Sequence, residues 1–260
     1  SIMISQHEMD LLVSTFHVPA HILIYIPFMI KPNPAKAFVE FSQRHHFISI
    51  GNFRHEPNWD AVLNLKQHIW PIIRKKIPKA EMHIYGAYPP KKATQLHNEK
   101  QGFYIKGWCK DAFEVLDKAR VLLAPLRFGA GLKGKLIDAA QCGLPAVTTS
   151  IGAEGLYENK ALWGNLETCL SVNDFEEFAH QAIALYDNEQ QWTAMQDNMK
   201  DWVATRFSET HYTDALTQSL RPITDNLEQH RLTNFTGSML RHHSMKSTQY
   251  MAQWIEAKNK

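Results

Sequence analysis

The sequence predicts an α/β fold with a parallel sheet of about six strands, flanked by helices and followed by a helical C-terminal tail. Three observations support this prediction. Short apolar runs, typical of strands buried on both faces, alternate with segments of helical periodicity. A glycine-rich turn joins one such run to a helix between residues 121 and 149. From residue 175 onward the periodicity is helical, with no further strand pattern.

The chain begins with a predicted helix and a short strand. An apolar stripe of helical spacing covers Glu8 to Phe16, and Ile22 to Ile26 has the pattern of a strand that ends at Pro27. The segment Lys31 to Ala35 contains two prolines, which interrupt both helices and central strands. This segment is therefore predicted to be a linker.

The main domain is predicted over residues 31–222. Its strands are Phe47–Ile50, Met82–Tyr85, Phe103–Ile105, Val121–Leu126, Ala146–Val147 and Thr168–Val172. The intervening and following helices are Asn58–Trp70, Asp111–Lys118, a helix that ends near Gly143, Phe175–Tyr186, Glu189–Arg206 and Glu209–Leu220. Capping-box patterns mark two helix starts, at Asp111 with Glu114 and at Asn173 with Glu176.

Two further features bear on the boundaries of these helices. Pro57 suits the first turn of its helix, whereas Pro71 is expected to bend or end it. The polar residues 223–237 are expected to form a loosely ordered connection to a last helix at Ser238–Ala257.

Composition excludes several classes of function. The net charge of +2 gives little attraction for nucleic acid, and no apolar run reaches the ~20 residues that a transmembrane helix needs. The three cysteines form no close pair, which favours reduced thiols and a cytoplasmic location. The 14 histidines show no metal-ligand spacing, so no metal site is predicted.

The glycine-rich turn has the properties of an anion site. Gly129, Gly131 and Gly134 let the backbone approach a ligand, and the first N–H groups of the following helix point toward it. This geometry suits a phosphate group. Lys133 and Lys135 add positive charge at a helix N-terminus, where it opposes the helix dipole, so a bound anion explains both lysines better than helix stability does.

Several polar residues near this turn have two interpretations each. Asp138 lies three residues after Lys135 and either forms a local salt bridge with it or accepts a hydrogen bond from a sugar hydroxyl. Arg54 follows the first strand of the main domain and is either a solvated surface residue or a cation that reaches a diphosphate. Glu154 either binds a sugar hydroxyl or caps the following turn.

A dinucleotide site is the competing interpretation of the glycines. Residues 129–134 match G-x-G-x-x-G, and Glu154 follows at the distance of a ribose-binding acid. In dinucleotide folds, however, this turn normally closes the first strand of the domain, whereas several strand patterns precede it here. A dehydrogenase domain that binds NAD is therefore the least favoured hypothesis for this chain.

The sequence also resembles a known family. Residues 125–135, PLRFGAGLKGK, and 143–156, GLPAVTTSIGAEGL, are similar to the signature of group 1 (family 4-like) glycosyltransferases. Residues 49–62 and 69–74 resemble earlier landmarks of the same domain, in the same order. The resemblance implies the Rossmann-like, C-terminal nucleotide-sugar-binding domain of a glycosyltransferase-B fold. It also implies that residues 1–30 are a remnant of the N-terminal acceptor domain, whose bulk precedes Ser1, and that residues 223–260 are a helical extension.

The resemblance further implies a function and a set of site residues. The expected reaction is sugar transfer from a nucleotide-diphosphate sugar to a glycan, lipid or small-molecule acceptor, with retention and without a metal or other cofactor. The residues expected to bind the donor diphosphate are Arg54, Gly129, Gly131, Leu132, Lys133 and Lys135. Those expected to bind the donor sugar or ribose are Asp138, Arg127 and Glu154.

Two positions depart from the family pattern, and both bear on the sugar and ribose. Asp138 stands where relatives usually carry a glutamate, and Ala130 replaces a second glutamate near the transferred sugar. No catalytic acid or base is assigned. The alternative hypothesis is a non-catalytic nucleotide-sugar-binding module that depends on a partner or on the missing domain, because transfer requires donor and acceptor to be held together.

Overall fold

The computed structural model describes residues 1–31, 37–156, 169–170 and 174–259. The fold divides into two compact units, Ser1–Thr210 and His211–Lys260. The predicted linker lies outside the described residues except for Lys31. The boundaries predicted near residues 30 and 222 remain predictions.

The first unit is built on a parallel sheet of six strands, and the predicted fold class is confirmed. The strands are β3 (His45–Ile50), β4 (Met82–Tyr85), β5 (Phe103–Gly107), β6 (Ala119–Ala124), β7 (Ala146–Thr149) and β8 (Cys169–Leu170). Their order across the sheet is β5-β4-β3-β6-β7-β8. The chain therefore moves outward from β3 to β5 and then returns to the other side of β3. This reversal makes the junction of β3 and β6 the topological switch point.

The N-terminal segment forms a small sheet beside this domain. β1 (Ile2–Met3) pairs in parallel with β2 (Ile24–Tyr25), and α1 (Gln6–Ser14) connects them together with a 3-10 turn at Ala20–Ile22. The predicted strand is thus shorter than Ile22–Ile26, because its first residue belongs to that turn. The Ser5 side chain caps α1 by accepting a hydrogen bond from the Glu8 backbone N–H at 3.3 Å.

Helices cover both faces of the main sheet. They are α2 (Glu56–Asn64), α3 (Trp70–Lys76), α4 (Lys91–Thr94), α5 (Ala112–Lys118), α6 (Gly134–Gln141), α7 (Ser150–Ala153), α8 (Phe175–Asp187) and α9 (Glu189–Arg206). The Asp111 side chain caps α5 through the Phe113 N–H at 2.8 Å, as predicted. Asn173 lies outside the described residues, and Asp174 caps α8 instead, through the Glu177 N–H at 2.8 Å.

Pro71 was expected to bend or end its helix. The helix does not end there, so that part of the expectation is wrong. A π-helical turn at Leu65–Ile69 joins α2 to α3, and the helical path continues through Pro71 to Lys76. Proline cannot donate the hydrogen bond of an α-helical turn, and here it falls in the first turn of α3, where no donor is needed. The extended helix buries Trp70, which contacts Phe47 of β3 edge to face.

Arg44 is the most unusual member of the core, because its guanidinium is fully buried. It donates to the carbonyl oxygens of Leu116 and Ala119, each at 3.0 Å, and to that of Cys142. A fourth hydrogen bond of 3.0 Å reaches the carbonyl of Val39. Burial lowers the pKa of Arg44 to about 10. These bonds join the entry of β3 to α5, β6 and the end of α6.

The second unit is helical. It contains most of α10 (Glu209–Asp225), α11 (Leu227–Thr233) and α12 (Phe235–Lys258). The expectation of a loosely ordered connection over residues 223–237 is therefore wrong. Strong helix formers and an i,i+3 ion pair of 3.0 Å between Arg231 and Glu228 support α11 despite its polarity. Among the described helices of the chain, none combines the length and apolar character needed to cross a bilayer.

Candidate functional site

The glycine loop lies at the switch point of the main sheet. It follows β6, next to the loop that follows β3, and leads into α6. Gly129 and Gly131 have φ angles of 140° and 70°, a region that L-amino acids rarely adopt. The loop needs glycine at both positions for this reason, and it presents its backbone at the edge of the sheet where α/β folds bind ligands.

A carboxylate already contacts the backbone of this loop. The Gly131 N–H donates a 2.7 Å hydrogen bond to Oε1 of Glu8, a residue of α1 that lies 123 positions earlier in the chain. This N–H therefore donates to an anionic group, as backbone N–H groups at helix N-termini and in glycine turns commonly do. Glu8 was not predicted as a site residue. The Ser5-x-x-Glu8 spacing marks the start of α1, but nothing in the sequence indicates its contact with Gly131.

Lys133 lies buried beneath the loop. Its ammonium donates to the Gly131 carbonyl at 2.8 Å and lies 3.8 Å from Oε2 of Glu154. Burial lowers the pKa of Lys133, while the charges of Glu154 and Glu8 oppose that shift. Leu132 is also buried and packs its side chain into the core. The structure thus brings Gly131, Lys133 and Glu154 together.

Lys135 has a different environment. Its side chain is half-buried in the first turn of α6, and its Nζ donates a 2.5 Å hydrogen bond to Oδ1 of Asn58. Within the described part of the chain no carboxylate pairs with it, and burial lowers the pKa of Lys135 to about 8. A buried ammonium held only by a neutral amide is destabilising on its own. An anion bound beside it would supply a countercharge.

Asp138 does not pair with Lys135, so the local salt bridge considered from the sequence is not formed. Its Oδ1 is 3.5 Å from Nε2 of Gln141, and the carboxylate is half-buried. Burial raises the pKa of Asp138. Its carboxylate therefore retains accepting capacity for a hydroxyl group, which is the role implied by the resemblance.

Arg127 is held by a partner that the sequence did not indicate. Its Nε donates to Oδ2 of Asp60 at 2.9 Å, and its Nη2 contacts Oδ1 of the same carboxylate. This two-bond ion pair joins the glycine loop to α2 and raises the pKa of Arg127. The positive charge of Arg127 is therefore largely compensated before any ligand arrives.

Arg54 lies in the loop after β3, at the same edge of the sheet. Its guanidinium carbon is 3.6 Å from the ring centroid of Tyr88, and both side chains are exposed. This stacking orients the arginine on the loop after β4. Arg54 is thus an exposed cation on the rim of the site, whereas Lys133 and Lys135 lie deeper.

The described residues contain no group of three metal-ligand side chains. Five of the predicted site residues fall into three sets that differ in their partners. The first set, Gly131, Lys133 and Glu154, is gathered around the loop with Glu8. The second is Lys135 with Asn58, and the third is Arg127 with Asp60. Asn58 and Asp60 both follow Pro57 in the first turns of α2 and lie within residues 49–62, which resemble a landmark of the family, but neither was predicted as a site residue.

Comparison with solved structures agrees with this architecture. The chain superposes on a Staphylococcus aureus TarM mutant, solved with Fondaparinux, alpha-GlcNAc-glycerol and UDP, with a TM-score of 0.69 and 14% identity. That match covers 84% of this chain and 43% of TarM. A glycosyltransferase from Rickettsia africae gives a TM-score of 0.65 at 12% identity, with 86% and 63% of the two chains covered.

A third structure of this kind is the pneumococcal O-GlcNAc transferase GtfA in complex with UDP and GlcNAc. It gives a TM-score of 0.62 at 16% identity over 86% of this chain and 45% of GtfA. The chain thus spans less than two thirds of the length of each of the three proteins. No curated protein matches the sequence significantly.

The family model for group 1 glycosyl transferases matches residues 44–188, which is more than half of the chain. The matched range starts at Arg44 and includes the main sheet, the glycine loop and α8. It contains all the predicted site residues, whereas Glu8, which was not predicted, lies outside it. The chain therefore belongs to the group 1 glycosyl transferases, whose glycosyltransferase-B fold its solved neighbours share.

Proposed function

We propose that this chain is the donor-binding half of a glycosyltransferase that uses a nucleotide-diphosphate sugar. The observation that carries the proposal is the pair of anion-seeking groups at the switch point. The Gly131 N–H already holds a carboxylate at 2.7 Å, and among the described residues the half-buried Lys135 ammonium is paired only with an amide. A diphosphate would replace the carboxylate at the Gly131 N–H and would supply a countercharge for Lys135.

The proposed chemistry is electrostatic. When the bond between the sugar and the diphosphate breaks, negative charge grows on the leaving diphosphate. Lys133, Lys135 and the N–H groups of the glycine loop stabilise that charge, with Arg54 at the rim. Asp138 and Glu154 accept hydrogen bonds from ribose or sugar hydroxyls. The proposal includes retention of configuration and requires no metal ion or other cofactor. It leaves the catalytic acid or base unassigned.

The acceptor side belongs to the remainder of the proposed enzyme. The chain spans 43% of TarM and 45% of GtfA, so a glycan, lipid or small-molecule acceptor is proposed to bind to a domain beyond this half. The same coverage supports the second hypothesis, a nucleotide-sugar-binding module that works only with a partner. A cytoplasmic location is proposed because the three cysteines form no close pair in the sequence.

Calorimetric titration with UDP, GDP, ADP and NAD tests the proposal. UDP is the first probe because the TarM and GtfA structures contain it. We expect saturable binding of one nucleoside diphosphate, weakened about tenfold or more in both Lys133→Ala and Asp138→Asn, since each removes a charged hydrogen-bonding group. Binding of NAD with no affinity for any of the diphosphates would establish the dehydrogenase hypothesis instead.

Glu8 gives a second prediction for the same titration. Its carboxylate occupies the Gly131 N–H and lies near Lys133, so it competes with an incoming phosphate for both groups. Glu8→Gln removes the negative charge and keeps the size of the side chain. We expect UDP affinity to rise about three- to tenfold, because like charges no longer repel.

Asp10→Asn is the matched control for Glu8→Gln. Asp10 lies on the same helix and accepts a hydrogen bond from Gln6 at 2.8 Å, away from the glycine loop. Its neutralisation is expected to leave UDP affinity unchanged. An equal gain in both variants would show that the net charge of α1 matters, and not the contact of Glu8 with Gly131.

A further inference from the structure

Asn58 makes two side-chain hydrogen bonds that connect two loops of the site. Its Oδ1 accepts from the Lys135 ammonium at 2.5 Å, and its Nδ2 donates to the Asn52 carbonyl at 2.8 Å. Lys135 belongs to the helix that follows the glycine loop, and Asn52 belongs to the loop after β3. One amide group therefore spans the switch point between β3 and β6.

The loop after β3 is folded around Asn52. Its Oδ1 accepts from the Arg54 N–H at 2.9 Å, and its carbonyl accepts from the His55 N–H at 3.2 Å. The turn that carries Arg54 therefore depends on Asn52, whose carbonyl also accepts from Asn58. Lys135, Asn58, Asn52 and Arg54 form a continuous path between the two cations.

Gly51 leaves the space that the Asn58 amide occupies. A Cβ atom added to Gly51 would lie 2.6 Å from Cγ of Asn58, which is well inside van der Waals contact. Any other residue at position 51 would displace the amide from Lys135. Glycine at position 51 therefore leaves room for the Asn58 side chain beside the loop after β3.

An amide holds a cation differently from a carboxylate. Its oxygen accepts from the ammonium without cancelling the positive charge, and its NH2 group donates to a carbonyl at the same time. The same helix shows the opposite arrangement two residues later, where the Asp60 carboxylate compensates Arg127. α2 therefore neutralises Arg127 of the glycine loop, whereas its contact with Lys135 of α6 does not cancel the charge of that lysine.

We propose that Asn58 is a positioning residue for donor binding, which fixes Lys135 in its charged state against the Arg54 loop so that both cations meet one diphosphate. This inference rests on the proposed function. Asn58 acts through Lys135 and Asn52 and does not itself contact the reacting atoms. Replacement of Asn58 is therefore expected to change the pH range over which Lys135 is charged as well as the affinity for the diphosphate.

A pH test of Lys135 must take into account the other charged groups on the elements that meet at this site. α2 contributes Glu56 and the Asp60 carboxylate that Arg127 engages, and the loop and helix of Lys135 contribute Lys133 and Asp138. Burial is the cause that lowers the pKa of Lys135, to about 8. UDP binding is therefore expected to weaken as the pH rises through and above this value, since the neutral amine no longer attracts phosphate.

The test measures UDP affinity between about pH 7 and pH 10, above the phosphate titration of UDP, for the wild type, Asn58→Leu and Asn58→Asp. Asn58→Leu should weaken binding about tenfold at pH 7, since a hydrogen bond to a charged group is lost, and should move the decline to lower pH. Asn58→Asp should move the decline to higher pH by about one unit, because a carboxylate favours the charged ammonium.

Asn98→Leu is the control. It makes the same substitution and removes the hydrogen bond that the Asn98 side chain accepts from the Gln101 N–H at 3.1 Å, outside the loops at the switch point. It should leave both affinity and pH profile unchanged. Opposite displacements of the profile in the Leu and Asp variants support the inference, and they cannot arise from a general loss of stability.

The failures of the two proposals are distinguishable. If wild type binds UDP or another nucleoside diphosphate and both Asn58 variants keep its affinity and pH profile, the proposed function stands and the role of Asn58 is overturned. If the two variants displace the profile in the same direction, the role is also overturned. If wild type and both variants bind no nucleoside diphosphate at all, the proposed function fails, and this inference fails with it.

Discussion

Replacement of Lys135 by methionine is expected to weaken UDP binding about a hundredfold, corresponding to roughly 2–3 kcal/mol for a buried charge that loses its partner. Lys135 has no carboxylate partner within the described chain, and its Nζ is held only by Asn58. Methionine keeps the length and packing of the side chain but cannot attract phosphate. Isothermal calorimetry at pH 7 measures the change.

Stability distinguishes this loss from misfolding. Because burial lowers the pKa of Lys135 to about 8, its charged form costs folding free energy below that pH, and stability should rise as the pH increases from about 8 toward the unfolded value near 10.4. Lys135→Met removes this cost. The variant should therefore melt at the same temperature as wild type or higher while it binds UDP poorly.

Lys66→Met is the matched control for this prediction. Lys66 is also half-buried, also donates to an amide oxygen, that of Gln101 at 2.6 Å, and also has a pKa lowered by burial. It lies outside the loops at the switch point. Its replacement should leave UDP affinity within about twofold of wild type. A comparable loss in both variants would contradict a specific role for Lys135.

Replacement of Arg44 by methionine is expected to lower the free energy of unfolding of the first unit by about 3–5 kcal/mol. The guanidinium is 0% exposed and serves four backbone carbonyls, from Val39 to Cys142. Methionine fills part of the volume but leaves these buried acceptors without a donor, and each costs about 1–3 kcal/mol before relaxation. Urea denaturation followed by tryptophan fluorescence measures the change, because Trp192 lies 5.4 Å from the guanidinium.

Arg54→Met provides the corresponding surface control. Arg54 is exposed and stacks on the exposed ring of Tyr88, so its replacement should change stability by no more than about 0.5 kcal/mol. If Arg44→Met changed the free energy of unfolding as little as Arg54→Met, the four hydrogen bonds would do no more than offset the solvation that the arginine loses on burial. Such a result would contradict the role assigned to Arg44 in joining β3, α5, β6 and α6.

Local patterns in the sequence predicted most of the elements correctly. Apolar runs located the strands of the main sheet, and Asp111 marked the start of α5. The errors occurred where the local pattern is ambiguous. Proline at position 71 fits either a helix end or a first helical turn, and the π-helical turn before it selects the second. The polar residues of α11 fit either a loop or an exposed helix.

The site was predicted only in part, for a related reason. Glycines with positive φ and lysines beside them are neighbours in sequence, so the position of the glycine loop and the expectation that it binds an anion followed from the sequence and from the family resemblance. The partners of those residues did not. Glu8 lies 123 positions from Gly131, Asn58 lies 77 from Lys135, and Asp60 lies 67 from Arg127.

The sequence by itself determined the α/β class, the order of the elements and the position of the glycine loop, because helical and strand periodicity, turn residues and a contiguous motif are all local properties. Only the tertiary structure decided which cation is neutralised and which remains charged. Asp60 compensates Arg127, whereas Lys135 is held by the neutral amide of Asn58 and has no carboxylate partner in the part of the chain that the structure describes. Such pairings depend on how the sheet brings distant segments to one edge, and on the burial that makes an unpaired charge costly there.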